Sequence, residues 1–271
     1  MNARADTLLV KQGRIFCVAN QKGGVGKTTT AINLATSLAA KGKKCLLIDL
    51  DPQGNASTGL GIERSARTLT AYDVILGQAS IADTVIRTAV DNVDLVPSTV
   101  DLSGIEVELA SDRARATRLK EALSRFKRPY DYLIVDCPPS LGILTVNALT
   151  AANAVLVPLQ CEFFALEGLS LLLRTIERVR GTYNSRLQVH GILLTMYDRR
   201  NKLSEQVESD VRSFLGSRVY QTIIPRNVRL SEAPSHGVPV LVYDANCAGA
   251  LAYDNLAGEV LQREQLIVAA A

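Results

Sequence analysis

The stretch RIFCVANQKGGVGKTTTAINLATSLAAK, residues 14–41, constrains the fold more than any other part of the chain. Arg14–Asn20 is almost continuously apolar, the pattern of a strand covered on both faces. Lys27–Lys41 reads as a helix, and between the two lie Gly23, Gly24 and Gly26. A strand that enters a glycine-rich turn and leaves as a helix can aim successive backbone N–H groups at one anion. The rest of the chain repeats the alternation. Lys43–Asp49, Asn92–Pro97, Tyr130–Asp136, Asn153–Leu159 and Leu187–Thr195 are further apolar runs. Helical patterns follow at Arg113–Phe126, Ile143–Ala151, Leu166–Arg180, Asn201–Leu215 and Ala250–Gln262. Such alternation needs crossover connections, so the expected fold is α/β, a mostly parallel twisted sheet with helices on both faces.

No repeat or linker divides the chain, so 14–265 reads as one domain, with 1–13 an N-terminal tail expected to be disordered and 266–271 a C-terminal tail. Residues 55–91 look looser, a surface excursion with short helical pieces such as Leu69–Leu76. With 47% hydrophobic and 21% charged residues the composition is that of a soluble globular protein. No apolar run approaches membrane-spanning length, and Leu8–Val10 is too short for the core of an export signal, so a cytoplasmic location is expected. The five cysteines form no C-x-x-C pair and read as buried or incidental. Cys137 stands out because it follows a candidate metal-site aspartate. A net charge of +3 is too small to imply nucleic acid by itself.

The loop has the phosphate-binding form G-x-x-x-x-G-K-[ST] with one departure: Gln21 stands where the first glycine belongs, and Lys22 precedes Gly23-Gly24. The segment from Lys22 through Gly23, Gly24, Val25, Gly26, Lys27, Thr28 and Thr29 is the expected nucleotide cradle. Lys27 would reach the β- and γ-phosphates of ATP, and the Thr28 hydroxyl would ligate Mg²⁺. A metal-bound triphosphate needs carboxylates nearby, and three sit at strand ends, where ligands gather in parallel sheets. Asp136 closes the apolar run YDYLIVD and suits the metal's outer shell. Asp49 and Asp51 end LIDLDPQGN. Asp51, expected in a flexible loop, suits the orienting of water, although composition does not decide between it and Asp49.

K-G-G-V-G-K-T-T, D-L-D-P-Q-G-N and D-C-P-P-S occur in this order, followed by E-F-F-A-L-E-G (162–168), G-I-L-L-T-M-Y-D (191–198) and I-P-R-N-V-R-L-S-E-A-P-S-H-G (224–237). With these motifs the chain resembles the ParA/Soj family of bacterial partition ATPases, in the deviant Walker A group with MinD and the nitrogenase iron protein. The resemblance covers nearly everything from Arg14 to the final helix. It implies an ATP-sandwich homodimer in which Lys22 reaches the nucleotide of the other subunit, as an arginine finger does. It also implies that Asp51 orients the attacking water, that Thr28 binds Mg²⁺, and that Pro225 and Asn227 hold the adenine; Asp49 and Asp136 are expected to act on the metal through water. Lys22, Asp51 and Asp136 are then the catalytic set.

The group contains DNA-bound, membrane-bound and metabolic or redox ATPases, and the fold does not choose among them. A MinD-like membrane tail would be a basic amphipathic helix. Here the final helix has Leu251, Leu256, Val260 and Leu261 on an apolar face, and a polar face with Asp254, Glu259, Glu264 and a lone Arg263, the pattern of a core-facing helix. An iron-protein reading needs a companion for Cys137, and none is visible in the sequence. Arg199, Arg200, Lys202, Arg212, Arg218, Arg226 and Arg229 supply positive charge, diluted by Glu205, Glu208 and Asp210. The charge run alone fits a solvated face; the resemblance points to nonspecific double-stranded DNA, with Arg200 and Arg229 as contacts. It further implies a ParB-type partner that stimulates hydrolysis and a nucleoid-associated protein. Some plasmid relatives carry a helix-turn-helix domain ahead of the loop; with about twenty residues before it here, specific operator binding is not expected.

Overall fold

The computed structural model describes residues 13–162 and 165–269. The expected tail over 1–12, Phe163 and Phe164 of the 162–168 stretch, and residues 270–271 lie outside these. The strands are β1 (Arg14–Val18), β2 (Cys45–Asp49), β3 (Ile86–Arg87), β4 (Val93–Val96), β5 (Tyr132–Asp136), β6 (Ala154–Gln160) and β7 (Gln188–Thr195). The helices begin with α1 (Lys27–Ala40), α2 (Asn55–Gly59), α3 (Ala71–Leu76), α4 (Ile81–Thr84), α5 (Ile105–Glu108) and α6 (Arg118–Arg125). They continue with α7 (Ile143–Ala151), α8 (Ala165–Thr182), α9 (Lys202–Leu215), α10 (Val228–Glu232), α11 (Val240–Tyr243) and α12 (Ala248–Ala269).

One seven-stranded sheet has the order β3-β4-β2-β5-β1-β6-β7. Every pairing is parallel except β3 with β4. From β1 the chain passes to β2, β3 and β4 on one side, returns to β5 beside β1, and then crosses to β6 and β7 on the other. The carboxyl ends of β1 and its neighbours thus form the crevice where such sheets hold ligands. Alternate strand residues feed two apolar layers. Ile15 and Cys17 face a core shared with α3, α6, α7 and α8, whereas Phe16 and Val18 face one shared with α1 and α12.

The structure corrects several expectations. Residues 55–91 are not a loose excursion. Ala56, Leu60, Ile75 and Ile81 are buried, and the segment ends in the antiparallel edge strand β3. Helix α6 starts at Arg118 rather than Arg113, because Asp112 turns its carboxylate onto the Ala114 N–H (2.8 Å) and the Arg118 side chain (2.7 Å); a short acid that bonds locally competes with helix. Helix α12 continues to Ala269, past the boundary at 265. Its inner face is Ala250, Tyr253, Leu256, Ala257 and Val260, while Leu251 is 54% exposed. Glu264 belongs to no free polar face, since it pairs with Arg14 (2.9 Å) and His190 (3.1 Å) and ties the helix to β1 and β7. No described helix is long and apolar enough to cross a membrane.

Candidate functional site

The phosphate loop leaves β1 at Val18 and enters α1 at Lys27. Gly24 and Gly26 have φ of 72° and 84°, values that cost a side-chain-bearing residue strain. Asn20 fixes the loop's start, donating from Nδ2 to Pro158 O (2.7 Å) and accepting from the Lys22 N–H (3.0 Å). The Thr195 hydroxyl holds its middle, donating to Val25 O (2.9 Å). No side chain caps α1, so its first N–H groups remain available to an anion. Gly23 and Gly24 are exposed, and Thr28 and Thr29 half-buried.

The two lysines differ in every respect. Lys27 is buried, and its Nζ donates to Lys22 O at 2.9 Å. Burial lowers its pKa, opposed by the nearby charges of Asp136, Cys137 and Asp51. Lys22 is partly exposed and ion-paired with Glu162.

The aspartates converge as the strand ends require. Asp49 and Asp136 are register partners on adjacent strands. Asp49 is fully buried and accepts from Ser57 Oγ (2.6 Å), Ser57 N (2.8 Å) and Asp51 N (3.3 Å). Burial still pushes its pKa up to about 6. Asp136 is also fully buried, and among the described residues neither carboxylate oxygen has a well-formed hydrogen bond, the Thr28 hydroxyl being the nearest donor. Burial and then the Asp49 charge raise its pKa well above the usual range, partly offset by the Thr28 hydroxyl. Asp51 is 6% exposed, its Oδ1 accepting from the Gln53 N–H (2.9 Å) and its carbonyl from Ser98 Oγ (2.6 Å). The expected flexible loop is therefore a fixed one, and the responsible residues, Ser57, Ser98 and Arg67, carry no motif signal.

A buried carboxylate with no donor is unfavourable unless a cation joins it. The orphaned Asp136 oxygens beside Thr28 and Asp49 fit a divalent ion. Among the described residues no three His, Cys, Asp or Glu side chains could hold a metal unaided. Mg²⁺ needs no such cage, because it keeps waters and takes oxygens from phosphate. Cys137 has a companion after all, as its Sγ lies 3.4 Å from that of Cys17. Both are fully buried in one subunit's core, and the Cys17 contact and burial hold the Cys137 thiol protonated.

Beside the loop opens a cavity of about 430 Å³, lined by Gly26, Thr28 and Thr29 at one end and by Pro225 and Asn227 at the other. The chain reaches it because 219–226 runs along β7, with Ile224 N bonded to Leu194 O (2.9 Å) and Arg226 N to Tyr197 O (3.0 Å). Asn227 Oδ1 then caps α10, accepting from the Arg229 N–H at 2.9 Å. Asn55 and Thr58 of α2 complete the wall, and so does Met196, held at φ 50°. Sequence alone offers no reason to choose these three.

Arg200 and Arg229 lie outside this cavity. Arg200 grips Asp198 through Nε and Nη2 (3.0 Å each). Arg229 pairs with Glu232 (2.9 Å) and Asp244 (3.5 Å). Arg199, Arg200 and Arg226 line a separate open groove of about 930 Å³, which Arg229 does not line.

An AAA domain family profile matches residues 13–189. The chromosome partitioning protein ParA of Caulobacter vibrioides is 61% identical over 254 residues, 93% of this chain and 95% of that one. The chromosome-partitioning ATPase Soj of Treponema pallidum is 54% identical over 252 residues, 93% of this chain and 98% of its own length. Among solved structures, a cobyrinic acid a,c-diamide synthase from Mycobacterium smegmatis with bound ATP analog and magnesium superposes with a TM-score of 0.83. It is 38% identical, with 92% of this chain and 94% of that chain covered. Motif order, sheet order and full-length similarity agree: the chain belongs to the ParA/Soj family of chromosome-partitioning ATPases.

Proposed function

We propose that this chain is an ATP-hydrolysing partition switch that binds ATP with Mg²⁺, pairs as a nucleotide-sandwich homodimer, holds nonspecific DNA in that state and lets go on hydrolysis. The observation that carries the reading is the pair of buried Asp136 oxygens, close to Lys27 and to Thr28, which itself lines the cavity. The loop N–H groups, the α1 N-terminus and Lys27 bind the phosphates, and Pro225 and Asn227 take the adenine. Thr28 would hold Mg²⁺ directly, with Asp49 and Asp136 behind its waters; when bound, the ion neutralises charge on the transferred phosphoryl group. Asp51, fixed at its carbonyl by Ser98, orients the attacking water. Lys22 is exposed and, among the described residues, ion-paired only with Glu162, which leaves it able to exchange that carboxylate for a phosphate of the other subunit. Arg200 and Arg229 of both subunits contact DNA phosphates, and a ParB-type partner stimulates hydrolysis on the nucleoid in the cytoplasm.

The test separates the lysines. Lys22→Ala should bind nucleotide yet fail to dimerise with ATP in sedimentation. Lys27→Ala should lose about 10²–10³-fold in nucleotide affinity, the scale of breaking a buried charge pair. Equal loss of affinity in both variants would remove the trans role of Lys22.

A further inference from the structure

Arg67 is a cation that no motif predicts. It is 7% exposed, and among the described residues no carboxylate lies within ion-pair distance of it. Its donors go to the back of the 54–62 loop and to Ser98 just beyond β4. Nε and Nη2 donate to Ile62 O (3.2 and 2.7 Å), and Nη2 also to Thr58 Oγ1 (2.8 Å). Nη1 donates to Ser98 O (3.1 Å) and Gly54 O (3.4 Å). A Cβ on residue 54 would come within 2.5 Å of Nη1, so glycine there is what admits the guanidinium.

Each partner leads to the site. Thr58 lines the cavity. Ser98 is fully buried; its Oγ donates to the Asp51 carbonyl (2.6 Å) and its N–H to Ser57 Oγ (3.0 Å), which in turn donates to Asp49 (2.6 Å). A buried guanidinium with no acid at ion-pair distance costs desolvation that the Asp49 charge only partly offsets, and an apolar side chain could fill the same space. What the apolar side chain could not do is hold Gly54, Thr58, Ile62 and Ser98 at fixed distances from one planar fork.

We propose that Arg67 is a positioning residue for hydrolysis, setting the place of the Asp51 loop through Gly54, Thr58 and Ser98. This rests on the reading of Asp51 as the water-orienting carboxylate. Misplacing a catalytic group by about 1 Å can cost on the order of 10²-fold in rate without loss of binding. The effect should therefore fall on kcat.

The experiment measures kcat and KM for ATP, and Kd for ADP, in Arg67→Lys, Ser98→Ala and Asp51→Ala. Arg67→Lys keeps the charge and loses the fork; Ser98→Ala removes the Asp51 contact with little change in bulk. Both should lose about tenfold or more in kcat, with KM and ADP affinity within roughly threefold of the parent. ADP affinity reports folding in the same samples, and Ser98→Ala carries the test if the arginine variant fails to fold. Full turnover in both overturns the proposal, as does an equal loss of ADP affinity and kcat, which marks a purely structural role. Asp51→Ala separates the two readings. Normal hydrolysis in that variant removes the role of Asp51 itself. Lost hydrolysis there, with full turnover in Arg67→Lys and Ser98→Ala, overturns positioning alone.

Discussion

At the carboxyl ends of β1, β2 and β5, Lys27, Asp49 and Asp136 are buried to between 0 and 6% exposure, whereas the Arg200 and Arg229 side chains are 88% and 48% exposed. The buried charges are incompletely satisfied: among the described residues Asp136 has no well-formed hydrogen bond, and the only one from Lys27 Nζ goes to a backbone carbonyl. The exposed arginines are each engaged by an acid of their own chain. A buried unmet charge is either neutralised by a shifted pKa or answered by a ligand that reaches it. An exposed paired charge is already answered by its neighbour and by water, at little gain. The phosphate end thus names its ligand chemistry, and the arginine surface leaves it open.

Breaking the buried side should give the largest effect. Asp51→Ala removes a carboxylate that, among the described residues, accepts only a local Gln53 N–H, so the phosphate cradle stays intact. Turnover should fall by about 10²–10⁴-fold, the range for a positioned acid–base group, and the ATP-bound dimer should accumulate. Single-turnover hydrolysis checks it; a normal rate would move the role to Asp49.

A middle-sized effect follows from Asp136, with opposite signs in the free and loaded protein. The folded state raises the pKa of Asp136 and holds Asp49 near 6, so between the ordinary carboxylate range and about 6 it binds more protons than the unfolded chain. Stability from the neutral forms is full at low pH and is lost as pH rises, through about 6 for Asp49 and well above the ordinary carboxylate range for Asp136. Asp136→Asn should therefore raise the melting temperature of the nucleotide-free protein at pH 8, by ~1 kcal/mol or roughly 2–4 °C. The same variant should lose most of the stabilisation that Mg-ATP gives the parent. A lower melting temperature without nucleotide would mean that Asp136 is satisfied in solution and is no vacant ligand.

The same contrast explains what the sequence disclosed. Strand β5 and Asp136 were legible because a continuous apolar run ending in an acid has few other readings, and the glycines of the loop mark a backbone shape. Arg67, Ser57 and Ser98 were not, because each acts through contacts between residues far apart in the chain, such as Arg67 with Ser98. Strand β3 has two residues, too few for any period. Leu251 was placed inside on helical spacing, but α12 packs on α1 through Tyr253, whose hydroxyl meets Thr30 Oγ1 at 3.1 Å, and that contact turns Leu251 outward.

The smallest effect sharpens the exposed side. Asp198 accepts from the Arg200 N–H, Nε and Nη2, all at 3.0 Å, and Arg200 holds its pKa down to about 2. If Arg200 is to neutralise a DNA phosphate, it must exchange or share this carboxylate, so the proposed contact is handicapped within its own chain. Asp198→Asn keeps the oxygen that accepts the backbone N–H and removes the competing charge. In the ATP-bound dimer two such arginines would be released, and each phosphate newly neutralised adds roughly 0.9 to the slope of log affinity against log salt. Binding of a random-sequence duplex should then strengthen a few-fold and persist to higher salt, while Arg200→Ala should shift both quantities the other way. Unchanged slopes in both variants would remove Arg200 from the interface and leave Arg199 and Arg226, which line the same groove, as the arginines to replace next. Weaker binding in Asp198→Asn, with weaker binding in Arg200→Ala, would give the acid a different part: it would hold the guanidinium fork in the orientation a phosphate needs, and the ion pair would be part of the contact rather than its competitor.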